Sequence, residues 1–178
     1  MIYMTKKPSL RKKTVILQDS SEIGFIMTDD STDWDNYLDV ETGKVLHDLI
    51  GGRADDYEND EEAMDALALD GLDIDEEDFK QHEQIEKERG TRYLEIPKVE
   101  SWESYQDMKD FIETIDNAHV QELLAVAIDG SGAFHRFNDV LSRYPKILEK
   151  WFAFKKIKEQ SHVKEWLEGH GYSVIFQH

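Results

Sequence analysis

"AIDGSGAFHRFNDVLSRYP", residues 127–145, decides the fold, because its glycines either cradle an anion or mark the corner between successive helices. Behind it, Val120, Leu123, Leu124, Ala127 and Ile128 recur on one helical face. Beyond it, Phe134, Phe137, Val140, Leu141 and Tyr144 do the same. Two amphipathic runs meeting at Gly130-Ser131-Gly132 read as a helix corner. In that corner glycine ends one helix, Ser131 caps the next, and Arg136 pairs with carboxylates elsewhere. Pro145 ends the second run and opens another, since proline is tolerated in a first helical turn.

That further run, "KILEKWFAFKKIKEQSHVKEWLEGHG", places Ile147, Leu148, Trp151 and Phe152 on one stripe and Val163, Trp166 and Leu167 on another. The shift predicts a bend between Phe154 and Ser161. Gly169 and Gly171 stop the helix, and "YSVIF" (172–176) is a closing strand. On the N-terminal side, Ser101 is expected to cap a helix bearing Trp102, Tyr105, Met108, Phe111, Ile112 and Ile115. "TRYLEIPK" (91–98) is a strand ended by Pro97, and "WDNYLDVETGKVLHDLI" (34–50) a hairpin turning at Glu41-Thr42-Gly43-Lys44. "TVILQ" (14–18) and "IGFIM" (23–27) are too short for periodicity to separate strand from helix. Strands first, helices later and one strand last define an α+β fold. The expected organisation is a single domain over 1–178, with a helical core over 101–169 and an acidic, partly helical insert or lobe over 55–90.

Composition narrows the classes. The 178 residues include no cysteine, which removes disulfides and thiolate metal sites. No apolar run approaches the ~18 residues of a membrane span. The first apolar run, "VIL", is too short for a signal-peptide core, so a cytoplasmic protein is expected. The net charge of −18 is unevenly spread, with −2 over residues 1–54, −13 over 55–90, −6 over 91–132 and +3 over 133–178. A field of that sign repels phosphate backbones and argues against direct nucleic-acid binding. In the acidic stretch, "NDEEAMDALAL" has Asn59 as a cap and Met64, Leu67 and Ala68 as its apolar side. "DEEDFKQHEQIEKER" has Asp75 as a cap and only Phe79 and Ile85 to bury.

"YLDVETGKV", "RYLEIP", "ESYQDMKDFIETI" and "GAFHRFNDVLSRYP", with the later "WFAF" and "VKEWLEGHG", carry a resemblance. Over about residues 34–50 and 91–173 the chain resembles a bacterial uncharacterised protein family with a GAFxRFxDVL signature and no assigned activity. The resemblance implies a bacterial, cytoplasmic protein. In that pattern arginine commonly stands at His135 and lysine at Asn138, departures that argue against a fully basic cluster being required at this site.

Particular residues bear on several chemistries. The Gly130-Ser131-Gly132 turn, with His135 and Arg136, is the candidate anion or phosphate site. Its spacing matches neither a P-loop nor a dinucleotide fingerprint, and Asp129 stands where a nucleophile elbow needs glycine. In "DIDEEDFKQHEQ" (73–84), Asp73, Asp75 and Glu77 occupy calcium-loop positions. However, Asp78 replaces the required glycine and Gln84 the bidentate glutamate. The seven histidines form no close pair at zinc-ligand spacing. No catalytic residue, metal ligand or cofactor is assigned. The late aromatics read as core, and Lys155, Lys156 and Lys158 as a solvated face or a partner of the acidic segment.

The expectation is therefore a non-enzymatic binding or regulatory protein. Its acidic surface, Asp73, Asp75, Glu76, Glu77 and Asp78, would engage a basic protein partner. The alternatives are a hydrolase or transferase acting on a phosphorylated small molecule through Ser131, His135 and Arg136, and a nucleic-acid mimic.

Overall fold

A computed structural model describes residues 13–28, 34–51, 60–69, 71 and 74–177. In chain order the elements are β1 (Lys13–Leu17), α1 (Ser21–Thr28), β2 (Asp35–Asp39), β3 (Lys44–Asp48), α2 (Asp60–Leu69) and α3 (Glu76–Glu88). They continue with β4 (Tyr93–Glu95), α4 (Ser101–Glu113), α5 (Ala118–Ala127), α6 (Ala133–Leu141), α7 (Pro145–Gly169) and β5 (Tyr172–Phe176). The fold is α+β, with helices predominating after residue 100.

The hairpin forms where expected. β2 pairs antiparallel with β3 on one edge and with β4 on the other, setting Leu38 opposite both Val45 and Leu94. Gly43 turns the hairpin at φ 72°, and a Cβ there would stand 2.2 Å from the Ile16 carbonyl oxygen. The turn thus abuts β1, which pairs in parallel with β5. "IGFIM" resolves as the helix α1: Ile23, Ile26 and Met27 at i, i+3 and i+4 are buried, while Phe25 is 58% exposed.

Two principal cores result. Met108, Phe111, Ile112, Ile115, Val120, Leu124, Phe137, Leu141 and Trp151 close the helical one. Its aromatic centre is built of edge contacts, with Phe111 and Phe137 each 5.0 Å from the Trp151 ring. The other joins Val15 and Leu17 of β1, Ile23 and Met27 of α1, Leu38 and Leu94 of the sheet, and Val163 and Leu167. α7 serves both. Twelve residues separate Trp151 from Val163, roughly three turns plus 120°, so the stripe shift marks a change of partner along one uninterrupted helix. The predicted bend is replaced by that change.

Other corrections are local. Ser101 is the first helical residue of α4 and not its cap; the Glu100 N–H before it donates to the Glu103 carboxylate at 3.2 Å. Trp102, Phe134 and Phe152, expected in the core, are 67%, 45% and 60% exposed. The proposed cap Asn59 lies outside the described residues. α3 buries the two residues expected of it on separate small clusters: Phe79 with Ile50, Leu67 and Ile74, and Ile85 with Tyr37 and Tyr93. Polar anchors add to these, with His82 Nδ1 2.9 Å from Asp48 Oδ2 and the Gln81 amide donating to the His47 carbonyl at 2.9 Å.

Candidate functional site

The glycine-serine corner forms because α5 runs out of helix-compatible sequence at Asp129-Gly130. Gly130 and Gly132 both adopt φ 77°. Gly132, not Ser131, holds the cap position of α6, and no side chain caps it. Arg136 folds back across the corner. Its Nε donates to the Ala127 carbonyl at 2.9 Å, one terminal nitrogen to the Ser131 carbonyl, and the other to the carbonyls of Asp129 and Gly130 at 2.5 and 3.4 Å. The expected carboxylate partners are therefore backbone carbonyls at the negative end of α5. A guanidinium so engaged is a poor anion receptor. His135 stands apart, its side chain 85% exposed and 3.4 Å from Asp139 one turn on. The structure brings Arg136 to the Ser131 carbonyl and does not converge Ser131, His135 and Arg136 on a common point.

On the acidic side, the Asp75 carboxylate accepts from the N–H groups of Glu77 and Asp78, and the Asp78 carboxylate accepts from the Asp75 N–H. This reciprocal capping box fixes the start of α3 and adds negative charge where the helix dipole favours it. Glu76 and Glu77 are exposed, with Glu76 3.6 Å from Lys80 one turn away. Asp73 lies outside the described residues. Among the described residues, no group of three or more histidine, aspartate or glutamate side chains is placed to hold a metal ion.

Two hollows flank the helical core. A cleft of about 170 Å³ opens between α4, α6, α7 and the end of α1, with Met108, Phe134, Phe137 and Trp151 as its apolar wall. Its polar wall is an ionic network. Lys158 Nζ lies 3.0 Å from Asp107 Oδ1 and 2.6 Å from Asp110 Oδ2, and His162 Nε2 lies 3.2 Å from Asp107 Oδ2. The Lys158 ammonium, then the Gln106 amide, hold the Asp110 carboxyl below its ordinary range. Reciprocally, the bond to Asp110 raises Lys158 against the opposing effect of burial. A lysine bound this way acts as a strut between α4 and α7. Lys155 pairs with Glu159 at 3.4 Å on its own helix, so Lys155 and Lys158 find carboxylate partners on α7 and α4.

The second hollow, about 660 Å³, is a groove along the α4–α5 hairpin. Ile112, Ala125, Val126 and Ile128 give it an apolar lining, Glu113, Glu122 and Asp129 its carboxylates, and Lys109 its one cation. His135 and Arg136 line neither hollow.

The most strongly perturbed carboxylate belongs to the sheet. Burial opposes the charge of Asp39, but the Arg92 guanidinium, the Glu41 N–H and the Thr42 hydroxyl together outweigh it and bring the carboxyl down to about 2. Two contacts at 3.1 and 2.8 Å make the Arg92 pair bidentate. Burial raises Asp35, helped by the Glu95 and Asp48 carboxylates, and lifts the Tyr37 phenol to about 12.

Sequence reasoning missed Asp107, Asp110 and His162, and read Lys158 as a solvated face or a partner of the acidic segment. The spacings within each helix, i, i+3 and i, i+4, are visible in the sequence, but nothing local pairs residues 48 and 55 positions apart.

Fold and surface together define a mixed α+β protein with ionic struts between its elements, an exposed acidic helix α3 and an acid-lined groove along α4 and α5. Residues 15–178 match the uncharacterised protein family UPF0158, and the chain belongs to that family. It is similar to a UPF0158 protein of Pseudomonas aeruginosa, 29% identical over 150 residues that cover 84% of this chain and 80% of the relative. A UPF0158 protein of Chlamydia pneumoniae is 28% identical over 107 residues, 60% of this chain but 33% of that longer protein. No solved structure matches.

Proposed function

We propose that this chain is a non-enzymatic, cytoplasmic binding or regulatory protein whose acidic surface engages a basic protein partner. The observation that carries the proposal is the construction of α3. Phe79 and Ile85 anchor its inner side, the Asp75–Asp78 box fixes its start, and Glu76, Glu77, Glu83 and Glu86 remain exposed on the outside. An acid row on a docked helix is pre-organised, so binding loses less conformational entropy than a floppy acidic tail would. Lys80 meets Glu76 at 3.6 Å and Arg89 meets Glu86 at 3.2 Å, both between exposed side chains where pairing is weak, and Glu77 and Glu83 stand exposed beside them.

Affinity capture from the native cell, run with the wild-type chain and with a Glu76→Lys/Glu77→Lys/Glu83→Lys variant, tests this. The expected result is a basic protein retained by the wild type at low salt, released as salt rises, and absent from the variant. Equal capture by both chains refutes it.

A further inference from the structure

We infer that the α4–α5 groove is the seat of a lysine- or arginine-rich amphipathic helix supplied by the partner. This rests on the proposed acidic-surface function and names the form of its partner.

α4 and α5 are successive helices joined by a short link, 114–117, and residues from 105 to 113 on one and from 122 to 129 on and beyond the other line a shared groove. Between them lies an apolar floor that no element of the described chain covers. Val126 is 69% exposed and Ala125 beside it is exposed too. A two-helix trough with an apolar floor accepts a third helix, which brings anchors at i, i+3 or i+4, and i+7.

The rim selects the sign of the occupant. Glu113 closes α4 beside the link, Glu122 lies midway along α5, and Asp129 lies beyond the far end of α5. The groove is lined by three carboxylates, Glu113, Glu122 and Asp129, against one cation, Lys109, which lies over the Tyr105 ring, 4.9 Å from its centroid. An occupant with cations about 10 Å apart, two turns along a helix, meets Glu122 and Asp129 while its apolar residues rest on Val126 and Ala125. The Arg136 clamp secures the far wall by holding the Ala127 and Asp129 carbonyls.

The test is fluorescence anisotropy with a labelled lysine–leucine amphipathic peptide of about 16 residues, alongside a scrambled peptide of the same composition. The full chain should bind the amphipathic peptide at least about tenfold more tightly than the scrambled one. Affinity should fall severalfold between about 50 and about 300 mM salt. Val126→Asp and Glu113→Lys/Glu122→Lys should each weaken binding about tenfold, with unchanged circular dichroism because the positions are exposed. Glu76→Lys/Glu83→Lys on α3 should change it less than about threefold.

Equal binding of the scrambled peptide, or indifference to the groove variants, overturns the inference. If the α3 variant abolishes binding while the groove variants do not, the acidic-surface function stands and the groove assignment falls. If neither peptide binds the wild-type chain, the groove assignment falls, and the acidic-surface function is then judged by the capture experiment alone. Tighter binding of a peptide of residues 1–12, which carries Lys6, Lys7, Arg11 and Lys12, makes the occupant this chain's own segment and also overturns the assignment.

Discussion

Replacing Arg136 with alanine separates a structural clamp from an anion ligand. The wild-type side chain makes four donations to carbonyls, of which the Ala127 bond is half-buried and the other three are exposed. Water re-solvates the exposed carbonyls at little cost. The partly shielded charged bond contributes about 1.5–3 kcal/mol, and the cation at the C-terminus of α5 about 0.3–1 kcal/mol more. The net loss is therefore about 2–4 kcal/mol. For a chain of this length each kcal/mol moves the melting temperature by about 2–4 °C, which gives a fall of about 4–16 °C. Thermal unfolding followed by circular dichroism measures it. Arg136→Lys, which keeps the charge but not the planar fork, should recover only a minor share. The reasoning fails if Arg136→Ala melts within about 1 °C of wild type. It fails more sharply if inorganic phosphate stabilises the wild type and not the variant, because the guanidinium would then be free to serve a ligand.

Other outcomes follow from single contacts. Phe137→Ala, at 1% exposure among Phe111 and Trp151, should cost about 3–5 kcal/mol in urea denaturation, whereas Phe134→Ala, on the cleft wall at 45%, should cost less than about 1 kcal/mol. Asp39 has a folded pKa of about 2 against an ordinary 3.8, so its contribution of about 2 kcal/mol is complete above about pH 4 and is withdrawn as pH falls through about 2. Asp39→Asn should be less stable at neutral pH and should lack that acid-limb loss in unfolding measured from pH 6 to 2. Gly24→Ala places a methyl 2.7 Å from the Glu159 Cβ, where α1 meets α7, and should destabilise by about 1–3 kcal/mol on the same assay.

What can be read in advance follows the reach of each signal. Helix periodicity locates α4 to α7 because each carries several apolar residues in register, and the Glu41–Lys44 turn locates the hairpin because glycine tolerates its positive φ. "IGFIM" is ambiguous in sequence because five residues cannot distinguish a period of two from one of 3.6, and only burial against α7 and the sheet decides for helix. Trp102 and Phe152 read as core since aromatics at helical spacing usually are. Each instead lies beyond the arc its helix buries, a distinction set by neighbours far along the chain. The corner is legible as a helix junction, but not the destination of Arg136. A guanidinium donates to carboxylate and carbonyl alike, and backbone carbonyls carry no signature in sequence. The Lys158–Asp107–His162 network is hidden because its halves sit on separate helices.

α7 contributes Trp151 to one core and Val163 and Leu167 to the other through about 37 Å of unbroken hydrogen-bonded backbone. Neither half can therefore melt without withdrawing a wall from its neighbour, and amide exchange should report one concerted opening rather than two. A load applied at the helical end, such as a partner levering the α4–α5 hairpin, travels along this beam to the paired β1 and β5 strands.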